Sequence, residues 1–319
     1  MEETKPSRLQ YFPVMMFAIT MGLGGLALDY KKAIEVLSFP PILFQILCVI
    51  VSALSLIIFC FYMLKFLKYP RAILSEFTHP VKLNFFATIS MSALLLSNIF
   101  HNIAPLSRTL FFLAAGFQIF IALYAITYWL NKDIEFAHSN PAWFIPVVGN
   151  LLVTTAGVGF ANHTLLMFFF SLGIFFWIIL TAILFNRIIF HGMLAQKFLP
   201  TLAIFIAPPA VAMLGYLRIN NGEFDLFAEI LLNIAIIFAL ILFALAKSFY
   251  KIKFFISWWA FTFPFAALTL ALLVAYEKTS ILLYYFLGFF SLILTTCIII
   301  FVGIKTIQAI FRGEICKEE

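Results

Sequence analysis

Long apolar runs, interrupted only by short polar clusters, are the feature that most restricts the fold of this chain. Of its 319 residues, 64% are hydrophobic and 11% are charged, and the mean hydropathy is +1.10. Soluble domains are about half apolar and about one quarter charged. A globule in water could not bury this much apolar surface, so the chain must be surrounded by lipid. The composition therefore predicts an all-α integral membrane protein.

The lengths of the apolar runs predict how many helices cross the membrane. A spanning helix needs about 20 mostly apolar residues, and runs of this length without alternation do not suit barrel strands. Dividing the sequence at its polar clusters predicts ten spans, at 11–29, 41–67, 83–101, 109–130, 142–161, 164–186, 199–217, 226–246, 254–275 and 281–304. The connections are short, so we expect a single transmembrane domain over residues 1–319.

The distribution of lysine and arginine predicts the orientation. Of the 20 basic residues, 15 lie on the side that holds both termini. The opposite side holds the other five, which are Lys31, Lys32, Arg108, Arg218 and Lys278. Cytoplasmic loops carry an excess of basic residues, so both termini are predicted to be cytoplasmic.

Prolines recur once in every pair of predicted spans. The series Pro13, Pro80, Pro146, Pro209 and Pro264 has intervals of 67, 66, 63 and 55 residues. Proline kinks a helix, so a ring of five kinked odd-numbered helices around a central path, wrapped by five even-numbered helices, would explain the series. The alternative is that proline is simply common in membrane helices. The candidate kinks that line the path are Pro13, Pro146, Pro208, Pro209 and Pro264.

Small residues in the odd-numbered spans indicate either a pore wall made of small side chains or close helix packing. Ala260 and Ala267 lie three and four residues from Phe263, on the same helical face. With Gly22 and Gly149 they are candidates to face the path. Close packing between helices remains the alternative for all four.

Ionisable groups typical of coupled carriers are missing from the middle of the predicted odd-numbered spans. Asp29, Glu229 and Glu277 are expected at or near span ends, and the five histidines lie at ends or in loops. No nucleotide-binding, metal-ligating or catalytic motif is visible, so no cofactor, metal or enzymatic activity is expected. A passive path with an apolar constriction fits better. The basic cytoplasmic mouth favours anions, but topology alone explains it, so the sign of the ion stays open.

Five segments carry a resemblance to a known family. They are HPVKLNFF (79–86), PAWFIPVVGN (141–150), GIFFW (173–177), APPAVAMLGY (207–216) and WWAFTFPF (258–265). With the length and the ten-span topology, the sequence resembles the tellurite-resistance/dicarboxylate transporter family. That family includes bacterial TehA-type proteins and the plant slow-type anion channels.

The resemblance implies a homotrimer in the bacterial inner membrane, with a separate pore in each protomer. It implies five inner and five outer helices, with Phe263 occluding the pore and Pro264 kinking the helix beside it. The implied cargo is a small monovalent anion such as chloride or nitrate, and a role in tellurite resistance is possible within the family. No nucleic-acid partner is expected.

Two other functions stay open at this point. The family also contains carriers, so the chain could be a proton-coupled C4-dicarboxylate transporter or a tellurite exporter. A membrane assembly protein that transports nothing is the third possibility. The lack of an acidic residue or histidine in the middle of an odd-numbered span favours the channel.

Overall fold

Helices joined by short connections make up the fold. A computed structural model describes residues 7–157, 159–249 and 252–317, and none of these residues lies in a strand. The α-helices are α1 Phe17–Leu37, α2 Pro41–Lys68, α3 Pro70–Phe77, α4 Ala87–Ile99, α5 Ala104–Asn131, α6 Phe144–Ala156, α7 His163–Phe190, α8 Ala207–Ile219, α9 Leu226–Ala244, α10 Ala246–Phe249, α11 Thr262–Thr279 and α12 Leu282–Phe311. The predicted all-α class is confirmed.

Eight helices of the described chain are long and apolar enough to cross a membrane. They coincide with eight of the ten predicted spans. The span predicted at 83–101 coincides with Lys82–Ile99, which passes the same test only together with α3, at a bend of 110°. The span predicted at 142–161 coincides with the shorter apolar helix Pro141–Ala156. Ten membrane crossings therefore stay a prediction.

Two layers of helices are visible in the packing. Helices α1, α4, α6, α8 and α11 form a closed cycle of contacts, each against the next and α11 against α1. Helices α2, α5, α7, α9 and α12 pack outside, against α1, α4, α6, α8 and α11 respectively. Buried residues make up 78–89% of the apolar stretch in the three long inner segments but only 11–39% in the outer helices. The outer faces are therefore apolar and exposed, as lipid contact requires.

A 3-10 helix leads directly into each of the five inner helices, and into none of the five outer ones. These segments are Val14–Met16, Lys82–Phe86, Pro141–Trp143, Gln196–Ile206 and Ile256–Phe261. Runs of 3-10 helix longer than three or four residues are uncommon, and they often mark strained sequences or hinges. The inner layer is therefore built differently from the outer layer at one end of the molecule.

Prolines lie where these 3-10 segments become α-helix. Pro146, Pro209 and Pro264 are each the third residue of their α-helix, and Pro13 directly precedes Val14–Met16. A proline in the first turn costs little, because its missing N–H group would lack an α-helical acceptor there. The predicted kinks are therefore changes of helix type at the start of α-helices, rather than bends within long α-helices.

Polar side chains inside the helices bond to neighbouring helices. Gln118 of α5 connects α4 and α6, because it accepts a bond from Ser90 Oγ (2.6 Å) and donates one to the Pro146 carbonyl (2.7 Å). Gly149 provides the room, since a Cβ atom there would lie 2.5 Å from Gln118 Nε2. One buried amide thus holds an outer helix against two inner ones.

Replacing Gln118 is expected to loosen this connection. Gln118→Ala leaves the Ser90 hydroxyl and the Pro146 carbonyl without this partner, and should lower the free energy of unfolding by about 1–3 kcal/mol. The measurement is unfolding of the purified protein in mild detergent, followed by tryptophan fluorescence. Thr127→Ala is the control, since this exposed hydroxyl of α5 bonds only to its own helix. Equal stability of the two variants would contradict the prediction.

Candidate functional site

Two cavities lie end to end inside the ring of inner helices. The narrow cavity has a volume of about 30 Å³ and the broad one about 580 Å³. All five inner helices line each of them, and residues of four of the 3-10 segments also line the narrow one. On α1, for example, Ala18 and Met21 line the narrow cavity, whereas Gly25 and Leu28 line the broad one. The two cavities therefore follow one another along the axis of the ring.

Phe263 lies where the two cavities meet. It is the only described residue that lines both, and its side chain is buried, with 4% of its surface exposed. It is the second residue of α11, directly after the 3-10 segment. A Cβ atom on Gly25 would lie 3.5 Å from the Phe263 ring and 2.8 Å from Ala266 Cβ. The ring is thus held against the backbone of α1, in the plane that separates the cavities.

The other predicted site residues divide into two groups. Ala260 and Pro264 line the narrow cavity, and Ala267 lines the broad one. The residues that line neither cavity are Pro13, Gly22, Pro146, Gly149, Pro208 and Pro209.

Both predicted glycines lie in helix contacts. A Cβ atom on Gly22 would overlap the Thr262 side chain of α11, and one on Gly149 would overlap Gln118 of α5. In these two positions the glycines allow close approach between helices, which was the alternative that the sequence left open.

Basic side chains are concentrated around the broad cavity. Four of the five basic residues on the side opposite the termini line it, and those four are Lys31, Lys32, Arg218 and Lys278. Only Arg108 lies elsewhere. These residues are exceptions to the positive-inside pattern, so their position is a signal that sequence reasoning missed. The described residues lining the narrow cavity carry no charge.

One lysine forms ion pairs with two of the three acidic residues that line the broad cavity. Lys32 Nζ donates to Glu35 Oε2 at 2.6 Å and to Glu277 Oε1 at 2.8 Å. Lys31 Nζ donates to the Asn98 carbonyl at 3.3 Å. Within the described chain, Lys31, Arg218 and Lys278 have no carboxylate within ion-pair distance. The broad cavity therefore presents three basic side chains that are not ion-paired.

Asp29 is the third acidic residue, and the sequence placed it wrongly. Helix α1 does not end near Asp29 but continues for eight residues to Leu37, so Asp29 lies inside a membrane-crossing helix. It lines the broad cavity, has 0% of its surface exposed, and neither carboxylate oxygen has a hydrogen-bond partner. His101, expected only at a helix end, also lines this cavity. Among the described residues, no cluster of acidic residues, histidines or cysteines could hold a metal ion.

Comparison with known proteins identifies the family. A family model described as voltage-dependent anion channel, SLAC1, matches residues 11–307. An uncharacterized transporter of Methanocaldococcus jannaschii is 26% identical, with 98% of this chain and 99% of the relative aligned. The S-type anion channel SLAH2 of Arabidopsis thaliana is 26% identical over 85% of this chain, which spans about half (53%) of that channel.

A third relative is the tellurite resistance protein TehA homolog of Haemophilus influenzae. It is 26% identical over 84% of this chain and 81% of its own length. The resemblance seen in the sequence is thereby confirmed. The matched region includes every inner helix and both cavities. The chain belongs to the SLAC1 family of voltage-dependent anion channels.

Proposed function

We propose that the protein is an anion channel or uniporter for small monovalent anions such as chloride and nitrate. Its path runs along the axis of the inner ring, through the broad and the narrow cavity, and Phe263 closes it between them. The observation that carries the proposal is that Phe263 is shared by two otherwise separate cavities. Membership of an anion channel family supports the class of cargo.

The charge of the broad cavity supports anions over cations. Lys31, Arg218 and Lys278 raise the local concentration of anions where low-dielectric walls focus their field. The narrow cavity has the opposite character, because its walls are largely apolar and its volume of about 30 Å³ is small beside the 580 Å³ of the broad cavity. An anion that enters it must shed water, so an apolar constriction of this kind can hold a pore closed.

Movement of Phe263 would open the path. The residue stands at the junction between Ile256–Phe261 and α11, where the helix type changes. Ala260 and Ala267 lie on either side of it, and their small side chains leave space for the ring. A rotation of one side chain, with a small change at this junction, is sufficient to join the cavities.

The membrane arrangement is part of the same proposal. The ten helical segments cross the membrane as five hairpins, and three protomers associate, each with its own pore. Both termini lie in the cytoplasm of a bacterial cell in this proposal, with the narrow cavity facing the cytoplasm, and the basic excess on the side of the termini supports that orientation. Intact mass measurement of the detergent-solubilised protein tests the trimer, and labelling of Cys316 from either side of the membrane tests the topology.

A coupled carrier for C4-dicarboxylates or tellurite is the second candidate. Asp29 favours it, because an ionisable residue inside a membrane-crossing helix is typical of proton-linked transport. The two candidates differ in energetics. A carrier would accumulate dicarboxylate against its gradient when only a pH gradient is applied, whereas a channel would not.

Removing the Phe263 ring should open the path. Phe263→Ala is expected to raise chloride and nitrate currents about tenfold or more, as removal of roughly 1.4 kcal/mol from the barrier would. Currents are recorded from purified protein in planar bilayers and should reverse near the anion equilibrium potential. The matched control is Phe261→Ala, in the adjoining 3-10 segment, whose ring packs against Phe249 and Trp258. Small currents from all three proteins, with the oligomer intact, would refute the channel.

Neutralising the broad cavity should weaken anion entry. The double variant Lys31→Gln, Arg218→Gln is expected to lower chloride conductance several-fold at low salt. The deficit should shrink near 1 M salt, where the Debye length falls to about 3 Å. Arg108→Gln is the control, because it removes a basic residue from the same side without touching the cavity. A deficit that does not change with ionic strength would contradict an electrostatic role.

A further inference from the structure

Asp29 differs from the other buried acidic residue of the described chain, Glu76. Glu76 is fully compensated, since it pairs with Lys65 at 3.0 Å and accepts a hydrogen bond from Tyr62 at 2.9 Å. Asp29 is buried more completely and has no hydrogen-bond or ion-pair partner at either oxygen. The fold therefore satisfies a buried carboxylate where its role is structural, and leaves Asp29 free to change its protonation.

The position of Asp29 relates it to the constriction. Asp29 follows Gly25 by four residues, so the two lie on the same face of α1, one turn apart. Gly25 faces the Phe263 ring, since a Cβ atom there would lie 3.5 Å from it. Asp29 therefore lies about one helical turn from Phe263, on the side of the broad cavity that it lines.

Other ionisable groups surround the same cavity. They are Lys31, Lys32 and Glu35 on α1, His101 after α4, Arg218 on α8, and Glu277 and Lys278 on α11. On α2, which also packs against α1, Cys48 lies near Lys31 but does not line the cavity. Helix α12 also packs against α1, but it has no acidic or basic residue before Lys305. None of these groups bonds to Asp29 within the described chain. No side chain of the described chain therefore fixes the charge on Asp29 through a hydrogen bond or ion pair.

We propose that Asp29 is a proton-binding site that controls anion passage past Phe263. In the ionised form, its carboxylate places an unpaired negative charge beside the path and repels the anion. When the carboxylate takes a proton from water that enters the broad cavity, the charge disappears and the repulsion of the anion disappears with it. The proton returns to the same water when the group ionises, so none crosses the membrane. The inference rests on the proposed anion path.

The test is chloride flux from proteoliposomes with equal pH on both sides, which removes any dependence on protein orientation. Between about pH 8 and about pH 5, wild-type flux is expected to rise about tenfold or more, as expected for removing one unpaired charge a few ångströms from the path. Asp29→Asn, which mimics the protonated acid, should give high flux that does not vary with pH. A wild-type pH dependence retained in Asp29→Asn overturns the proposal.

Two control variants separate Asp29 from its neighbours. His101 is the histidine among the described residues that line the same cavity, so His101→Gln should keep the pH dependence if Asp29 is the sensor. Glu223→Gln removes an exposed carboxylate on the same side and should also keep it. Loss of the pH dependence in His101→Gln, with its retention in Asp29→Asn, assigns the effect to His101 and overturns the proposal.

Infrared difference spectroscopy separates this inference from the anion path itself. On acidification, the wild-type protein should gain a carboxylic C=O band that is absent from Asp29→Asn. If neither protein passes chloride at any pH, the proposed function fails, and the band alone decides whether Asp29 binds a proton. A spectrum identical in the two proteins overturns the assignment of the proton-binding site, whatever the flux.

Discussion

Close contact between α1 and α11 closes the inner ring, and the arrangement of the cavities depends on it. Gly22 leaves room for the Thr262 side chain, and Gly25 leaves room for Ala266 and for the Phe263 ring. These glycines let the first and last inner helices approach so closely that the backbone of α1 faces side chains of α11 directly. Phe263 belongs to this contact. The close approach that completes the circle of inner helices therefore also holds the Phe263 side chain on the axis of that circle.

In the proposed anion path, the two cavities would contribute two different physical effects. The broad cavity is lined by basic groups, so it would raise the concentration of anions at the entrance. The narrow cavity has largely apolar walls and Phe263 at its end, so it would set the energetic cost of leaving water. Electrostatic attraction alone would hold the anion, and an apolar constriction alone would exclude it. A path that is selective and still conducts needs both in series.

Residues in the second half of α1 explain where sequence reasoning failed. The stretch after Asp29 contains Lys31, Lys32 and Glu35, and its polarity indicated the end of a span. The helix nevertheless continues to Leu37, because these side chains face the broad cavity and bond across it to Glu277 and Asn98. A cluster of polar residues therefore ends a helix only if no other part of the fold provides bonding partners for their side chains. Hydropathy along the chain cannot reveal such a partner.

Sequence by itself determined the helical class and the position of the helical segments, because in lipid every backbone group must be bonded within a helix. It also determined the odd–even distinction through the prolines, and the resemblance pointed to Phe263. Only the tertiary structure decided which residues converge. Lys31 and Lys278 are far apart in the chain, yet they line one cavity. Gly22 and Gly149 pack against helices, whereas Gly25 supports the constriction. The physical reason is that local apolarity decides which segments form helices, whereas contacts between distant helices decide which faces meet.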